Sequence, residues 1–259
     1  MVLPRSSVEY ATDQITVYQF CEHGCVYCWA WRIPLFRSRI LRGKYDPVKE
    51  ARKYLKIKEK RTIVISFTSD PYPIDEYFTN ITRDVLKVLA EAKQHKVLVL
   101  TKNPMIPIIK EDIVIMRRHG NMWLGTSLTT LDDDVARKIE PNAAVPSIRL
   151  YALEHAKKFG VKTWVSVEPI IPYITYPEDI VEATKDFVDW YVLGAYNYHS
   201  RLRLPRVNRY IPDEGRFTRR ELVAWYRIHV PKAIKLLKEY NKPFFIKKEL
   251  KKYLGDGFE

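Results

Sequence analysis

The chain has 259 residues, 46% hydrophobic and 29% charged, with 44 Lys+Arg against 31 Asp+Glu for a formal charge of +13. That composition suits a globular protein and excludes a disordered one. No apolar run approaches the roughly 20 residues that cross a bilayer. The opening MVLPRSSVEYATDQ lacks the apolar segment of a secretory signal, and three cysteines are too few for a secreted disulfide scaffold. A cytoplasmic, reducing setting without a membrane is expected, with the chain working as a monomer.

In chain order, β-branched runs alternate with amphipathic stretches, the pattern of βαβ units. The predicted strands cover 14–20, 62–69, 96–101, 122–128, 162–168 and 189–196. Predicted helices cover 47–55, 79–94, 105–118, 132–139, 146–159 and 177–187. Thr79 suits an N-cap, followed by Val85, Leu86, Leu89 and Ala90 at helical spacing. Pro146 suits a first helical turn and Gly160 the end of that helix. A long helix over 218–240 and a seventh strand over 244–248 complete the series. The expectation is an α/β fold, a partial (β/α)6 TIM-type barrel over 1–217, with 218–259 as a helix and basic tail packed on the same domain. Chemistry then belongs on the loops after the C-terminal strand ends.

Directly after the first strand runs Cys21-Glu-His-Gly-Cys25-Val-Tyr-Cys28, a C-x3-C-x2-C spacing, and no cysteine follows it. Buried small hydrophobes would be scattered. Structural zinc normally closes four ligands, often as separated pairs, and His23 on so short a loop is poorly placed as the fourth. Three thiolates on one tight loop suit a [4Fe–4S] cluster with one iron left open for a ligand.

The motif with Tyr27 before its last cysteine resembles the radical S-adenosylmethionine (SAM) signature. The fuller string CEHGCVYCWA resembles the spore photoproduct lyase-like branch. So do SFTSDPYP (66–73), VLTKNP (99–104), SLTTLDDDVARKIEP (127–141) and WVSVEPIIP (164–172). The resemblance spans about residues 13–195. It implies a partial barrel of the radical SAM kind and a cluster held by Cys21, Cys25 and Cys28, which would carry the catalysis. It also implies SAM as cofactor and an electron donor such as a ferredoxin or flavodoxin. The strand ends offer Thr68, Ser69, Asp70, Lys102, Ser127, Thr129 and Glu168 to a SAM molecule, with Tyr27 beside the cluster. Lys102 is a point charge that can pair with the methionyl carboxylate, and Ser127 can donate to it or to ribose. The resemblance singles out this lysine and this serine. The Gly-Gly-Glu string that grips the SAM ammonium in the family is absent, and Ser69-Asp70 stands in its place.

With every cysteine committed to one cluster, no thiol remains for an auxiliary cluster or a methyl carrier. The lyase proper is thought to return hydrogen through a further cysteine, so thymine-dimer reversal is not the expected reaction. Tyr27, Tyr196 or Tyr198 are candidates to relay hydrogen instead, although among 17 tyrosines plain packing is the commoner role.

The positive charge is unevenly spread. WAWRIPLFRSRILRGK (29–44) carries five basic residues, two tryptophans, a phenylalanine and no acid. RLRLPRVNRY (201–210) adds four arginines after the sixth strand, with Arg219 and Arg220 beyond. Arginine with interleaved aromatics suits phosphate contact and base stacking. Arg32, Arg37, Arg39, Arg201, Arg203, Arg206 and Tyr196 are therefore candidate substrate contacts, and RNA or DNA the candidate partner, in tRNA modification or DNA repair. The lysine-rich 242–252 fits this less well, since lysine and glutamate enrichment with few glutamines also marks a thermophile. Two alternatives stay open: the same chemistry on a protein or small acidic metabolite, and a non-catalytic, metal-stapled nucleic-acid-binding module.

Overall fold

The computed structural model describes residues 5–32, 45–197 and 203–255. Seven strands form one sheet in chain order: β1 (Asp13–Ile15), β2 (Thr62–Ile65), β3 (Lys96–Leu100), β4 (Met122–Ser127), β5 (Lys162–Ile170), β6 (Trp190–Ala195) and β7 (Phe244–Ile246). The fold is α/β, a partial parallel barrel, with the seventh strand following the long helix as expected. The observed strands stop short of most predicted ends. At 66–69, 101 and 196 the backbone leaves the ladder to form the loops that carry polar side chains.

The chain divides into two compact units, Met1–Glu22, Ala30–Thr126 and Tyr151–Thr163 in one, His23–Trp29, Ser127–Leu150 and Trp164–Glu259 in the other. In the first, β1 pairs parallel with β2 (Asp13 opposite Ile63), β2 with β3 (Ile63 opposite Val97) and β3 with β4 (Val97 opposite Met122). Both faces of such a sheet are covered, so its strands read as apolar runs. Ile15, Ile63, Val64, Ile65, Val97, Leu98 and Leu124 are accordingly fully buried. Helix α1 (Pro47–Lys53) starts on Asp46, whose carboxylate accepts from the N–H groups of Val48 and Lys49. It packs against α3 (Ile81–Leu89), which buries Val85, Leu86 and Leu89.

The single helix expected over 79–94 is two. Helix α2 (Glu76–Thr79) ends at Asn80, in the left-handed region at φ 56°, and α3 follows at once. Thr79 therefore caps nothing at an N-terminus; its hydroxyl donates to the Asp75 carbonyl at 3.1 Å. The helix expected over 105–118 likewise splits into α4 (Met105–Ile109) and α5 (Asp112–His119), because Glu111 takes φ 60°.

In the second unit, β5 pairs parallel with β6 (Val165 opposite Tyr191) and β6 with β7 (Val192 opposite Phe245). Helix α6 (Asp133–Ile139) is capped by Asp132, and Pro146 opens α7 (Pro146–Lys158), whose residues from Tyr151 on count with the first unit. Helix α8 (Pro177–Thr184) packs against α9 (Arg219–Glu239), which begins with a Thr218/Glu221 capping box. Helix α10 (Lys248–Leu254) occupies the expected basic tail and packs on α9 and β6, burying Leu250 and Leu254. This segment is therefore amphipathic as well as charged.

Gly215 lies at φ +65°, where a Cβ would meet the Leu204 carbonyl oxygen at 2.3 Å. The Leu204 N–H donates to the Gly215 carbonyl at 2.8 Å, so the two backbones cannot separate cheaply. Gly215→Ala is expected to cost about 1–3 kcal/mol of stability, read from urea denaturation midpoints.

Candidate active site

At the strand ends of the first unit, one carboxylate organises the backbone. Asp70, buried at 6% exposure, accepts from the Thr101 hydroxyl at 2.7 Å and the Tyr72 N–H at 2.8 Å on Oδ1. Its Oδ2 accepts the Lys102 N–H at 2.8 Å. The ends of β2 and β3 are thus tied through it, and Lys102 is presented half-buried at the end of β3. Nearby, Ser66 sits at φ 49° with its hydroxyl accepting the Val17 N–H at 2.7 Å, joining the β2 end to the segment after β1. The Ser69 hydroxyl donates to the Tyr18 carbonyl, and Thr68 is half-buried beside it. Cys21 begins the cysteine loop here. The neighbouring Glu22 accepts the Ile74 N–H at 2.6 Å, anchoring the loop start to the turn after Asp70. The sequence marked Asp70 but not Glu22, which shows no periodicity or motif of its own.

In the second unit, His23–Trp29 carries Cys25 and Cys28. Gly24 turns the chain at φ 63°, and the Cys28 N–H donates to the Cys25 carbonyl at 3.0 Å, closing a tight turn with both thiols on it. Backbone bonds clamp this turn: Val26 N–H to the Ile139 carbonyl at 2.9 Å and Asn142 N–H to the His23 carbonyl at 3.2 Å. His23 is buried, with Nδ1 3.3 Å from the Asn142 carbonyl oxygen. The Tyr27 hydroxyl donates to Glu140, and burial, the largest cause, pushes its phenol well above the ordinary range, so it is a neutral donor. Ser127 is buried at the end of β4, and Thr129 donates to Glu140 at 3.0 Å while its carbonyl accepts from Thr175.

Glu168 faces a partner that sequence reading missed. Its Oε1 lies 2.6 Å from Lys247 Nζ, at the end of β7, with both side chains largely buried. A Cβ on Gly194 would stand 2.6 Å from the Glu168 carboxyl carbon, so only glycine in β6 leaves room for this pair. Lys247 lies within the lysine-rich tail, where one functional-looking cation was hidden among solvated ones. Tyr196 is fully buried, and burial pushes its phenol up to about 12. Arg203 and Arg206 are exposed on the loop after β6, with Arg206 paired to Asp213 at 3.0 Å. Arg37, Arg39, Arg201 and Tyr198, with the side chain of Arg32, lie outside the described residues.

The cysteines are thiols outside any disulfide, Cys25 buried and the other two half-buried. Among the described residues no three His, Cys, Asp or Glu side chains gather tightly enough for a single metal ion. A cubane cluster spreads its cysteine sulfurs more widely than one ion does, and three thiols with no disulfide match its donor chemistry.

A parallel partial barrel with such a loop after its first strand is the arrangement that the family comparison then places in a class. The chain belongs to the radical SAM superfamily, whose family model matches residues 15–188, and it is a radical SAM enzyme. It is 28% identical over 187 residues to an uncharacterized protein of Methanocaldococcus jannaschii, covering 71% of this chain and 70% of that one. An uncharacterized protein of the Acidianus two-tailed virus is 31% identical over 122 residues, 47% of this chain and 39% of that one. In fold it is similar to a spore photoproduct lyase variant with bound AdoMet and dinucleoside spore photoproduct, at TM-score 0.68 and 16% identity, over 95% of this chain and 79% of that one. It is also similar to Streptococcus suis SuiB bound to S-adenosylmethionine, at TM-score 0.60 and 16% identity, over 90% and 50%.

Beneath the Asp70 turn, the Tyr72 hydroxyl donates to Asp112 at 3.1 Å, and Arg83 pairs with the same carboxylate at 3.1 Å. Burial outweighs the arginine and raises the Asp112 carboxyl from 3.8 to about 6. The folded state thus holds a proton that the unfolded chain releases near pH 4. The stability this group contributes is complete below that pH and is lost as pH rises through about 6. In Asp112→Asn that fall, on the order of 2 kcal/mol, should vanish from the difference between urea midpoints at pH 4 and pH 7.

Proposed function

We propose that Cys21, Cys25 and Cys28 hold one [4Fe–4S] cluster, that SAM binds over it, and that the substrate is a nucleic acid, in RNA modification or DNA repair. The observation that carries the cluster is the set of three cysteines on the loop after β1, the only cysteines in the sequence of a chain of this superfamily. When bound and reduced, the cluster supplies the electron that cleaves SAM to methionine and a 5′-deoxyadenosyl radical, which abstracts hydrogen from substrate.

The chain's own residues bind and orient. Lys102, held by its backbone on Asp70, supplies a cation for the methionyl carboxylate. Ser127 supplies a hydroxyl for amino-acid or ribose groups, while Ser69 and Thr129, whose hydroxyls donate to the Tyr18 carbonyl and to Glu140, are left to accept from them. Asp70 already accepts three hydrogen bonds, so its part in gripping the ammonium is secondary to shaping the turn. Glu168 on β5, with Lys247 just after β7 against it, offers an anion and a cation across the intervening β6. One-electron reduction requires a small redox protein such as a ferredoxin or flavodoxin. Nucleic acid as substrate rests on Arg203, Arg206 and Arg209, all exposed on the loop that leaves β6 at its C-terminal end. The paired Arg206 loses little by exchanging an exposed carboxylate for phosphate.

Anaerobic reconstitution with iron and sulfide should give a brown protein that cleaves SAM on reduction, and Cys28→Ala should abolish both. A colourless product that retains zinc would sink the cluster and favour a metal-stapled binding module. Binding of short RNA or DNA oligonucleotides, followed by fluorescence anisotropy, should weaken steeply with salt. Arg203→Ala with Arg206→Ala should reduce the magnitude of the log–log salt slope by about 1–2. An unchanged slope would count against this surface and move weight to a protein or small-metabolite substrate.

A further inference from the structure

Glu140 and Arg149 form an ion pair with side chains 0% and 1% exposed. Enclosing two opposite charges costs desolvation that their attraction only roughly repays, and a well-packed apolar pair is often as stable. Stability alone therefore does not account for this pair, whereas its other bonds suggest a use. On Glu140, the oxygen not taken by Arg149 accepts from the Tyr27 hydroxyl and from Thr129 Oγ1 at 3.0 Å. On Arg149, Nη1 donates to the Ser127 carbonyl at 2.9 Å and Nε to the Ala144 carbonyl at 2.6 Å. One charged pair thus reaches the cysteine loop between Cys25 and Cys28 and the chain at the end of β4. The backbone bonds from Val26 to Ile139 and from Asn142 to His23 fasten the same loop to the segment that carries Glu140.

We propose that Glu140 and Arg149 are positioning residues that hold Tyr27 in place, and so fix Cys25 and Cys28 relative to Ser127 and Thr129 before any metal arrives. The proposal rests on the cluster reading above. A planar guanidinium with three nitrogens engaged, acting through a carboxylate with both oxygens engaged, holds a fixed geometry that an apolar contact would not. The loop then meets its metal with little ordering left to do, which favours retention of the cluster. The pair acts through Tyr27 and through the β4 backbone.

Three variants separate positioning from plain stability: Arg149→Met, the double Glu140→Met/Arg149→Met, and Tyr27→Phe. Each is reconstituted anaerobically, and loss of iron to a colorimetric chelator is timed beside the thermal melt of the metal-free protein. Arg149→Met strands a buried carboxylate and should lower the melting temperature and speed iron loss. The double variant removes both charges and should melt well above Arg149→Met, yet still release iron about 10- to 100-fold faster than wild type. Tyr27→Phe, which loses only the hydroxyl anchor, should melt near wild type and release iron faster in the same direction. Iron retention at the wild-type rate by either the double variant or Tyr27→Phe overturns the positioning role. Failure of the wild-type protein to take up iron overturns instead the cluster reading, and the positioning role with it.

Discussion

The Asp70 carboxylate holds the working end of the first unit together. In a buried parallel sheet, each strand that ends leaves backbone N–H groups turning away from their ladder, and those groups must find acceptors. Asp70 takes the amides of Tyr72 and Lys102 and the hydroxyl of Thr101. Thr101 in turn accepts from the Asn103 N–H at 2.9 Å, and its carbonyl accepts from Thr126 on β4 at 2.7 Å. A relay of short polar side chains therefore runs across the ends of β2, β3 and β4. Lys102 stands where it does because its own N–H is bonded to Asp70.

The same need is met differently in the second unit. There the stretch after β4 is satisfied by Arg149 on Ser127, by Thr175 on the Thr129 carbonyl, and by the Leu128 N–H bonding to Ser166 on β5 at 2.9 Å. Tyr226 does this for β5 and β6, accepting from the Tyr196 N–H and donating to the Ile170 carbonyl. Polar residues at strand ends thus do two kinds of work that look alike in sequence. Some, such as Asp70 and Thr129, are largely occupied in closing the fold, and others, such as Lys102, are held by their backbone with the side chain half-buried at the strand end. The Glu168–Lys247 pair falls between, an ion pair from within β5 to the residue after β7 that only Gly194 in the intervening strand permits.

Several of these features were legible in the sequence. The order of strands and helices could be read because apolar runs with a period of two or none separate cleanly from helical spacing. The cysteine loop stood out because three thiols within eight residues have few physical explanations. Asn80 is a residue type that does enter the left-handed region and offered a weak signal of the split there, whereas the split at Glu111 was not legible, since glutamate is ordinary in a helix. Nor was the amphipathic character of Lys248–Leu254, where lysines outnumber the two leucines that bury.

By itself the sequence determined the fold class, the donor chemistry of the cysteine loop and the clustering of arginines, because each is carried by residues close together in the chain. Only the tertiary structure decided which strand-end polar groups are engaged and with what. It brought Tyr27 to Glu140, 113 residues away, and Glu168 to Lys247, 79 residues away. Pairings over such separations are set by the packing of strands and helices, not by any local preference of the residues involved. Such pairings carry no signature in a single sequence.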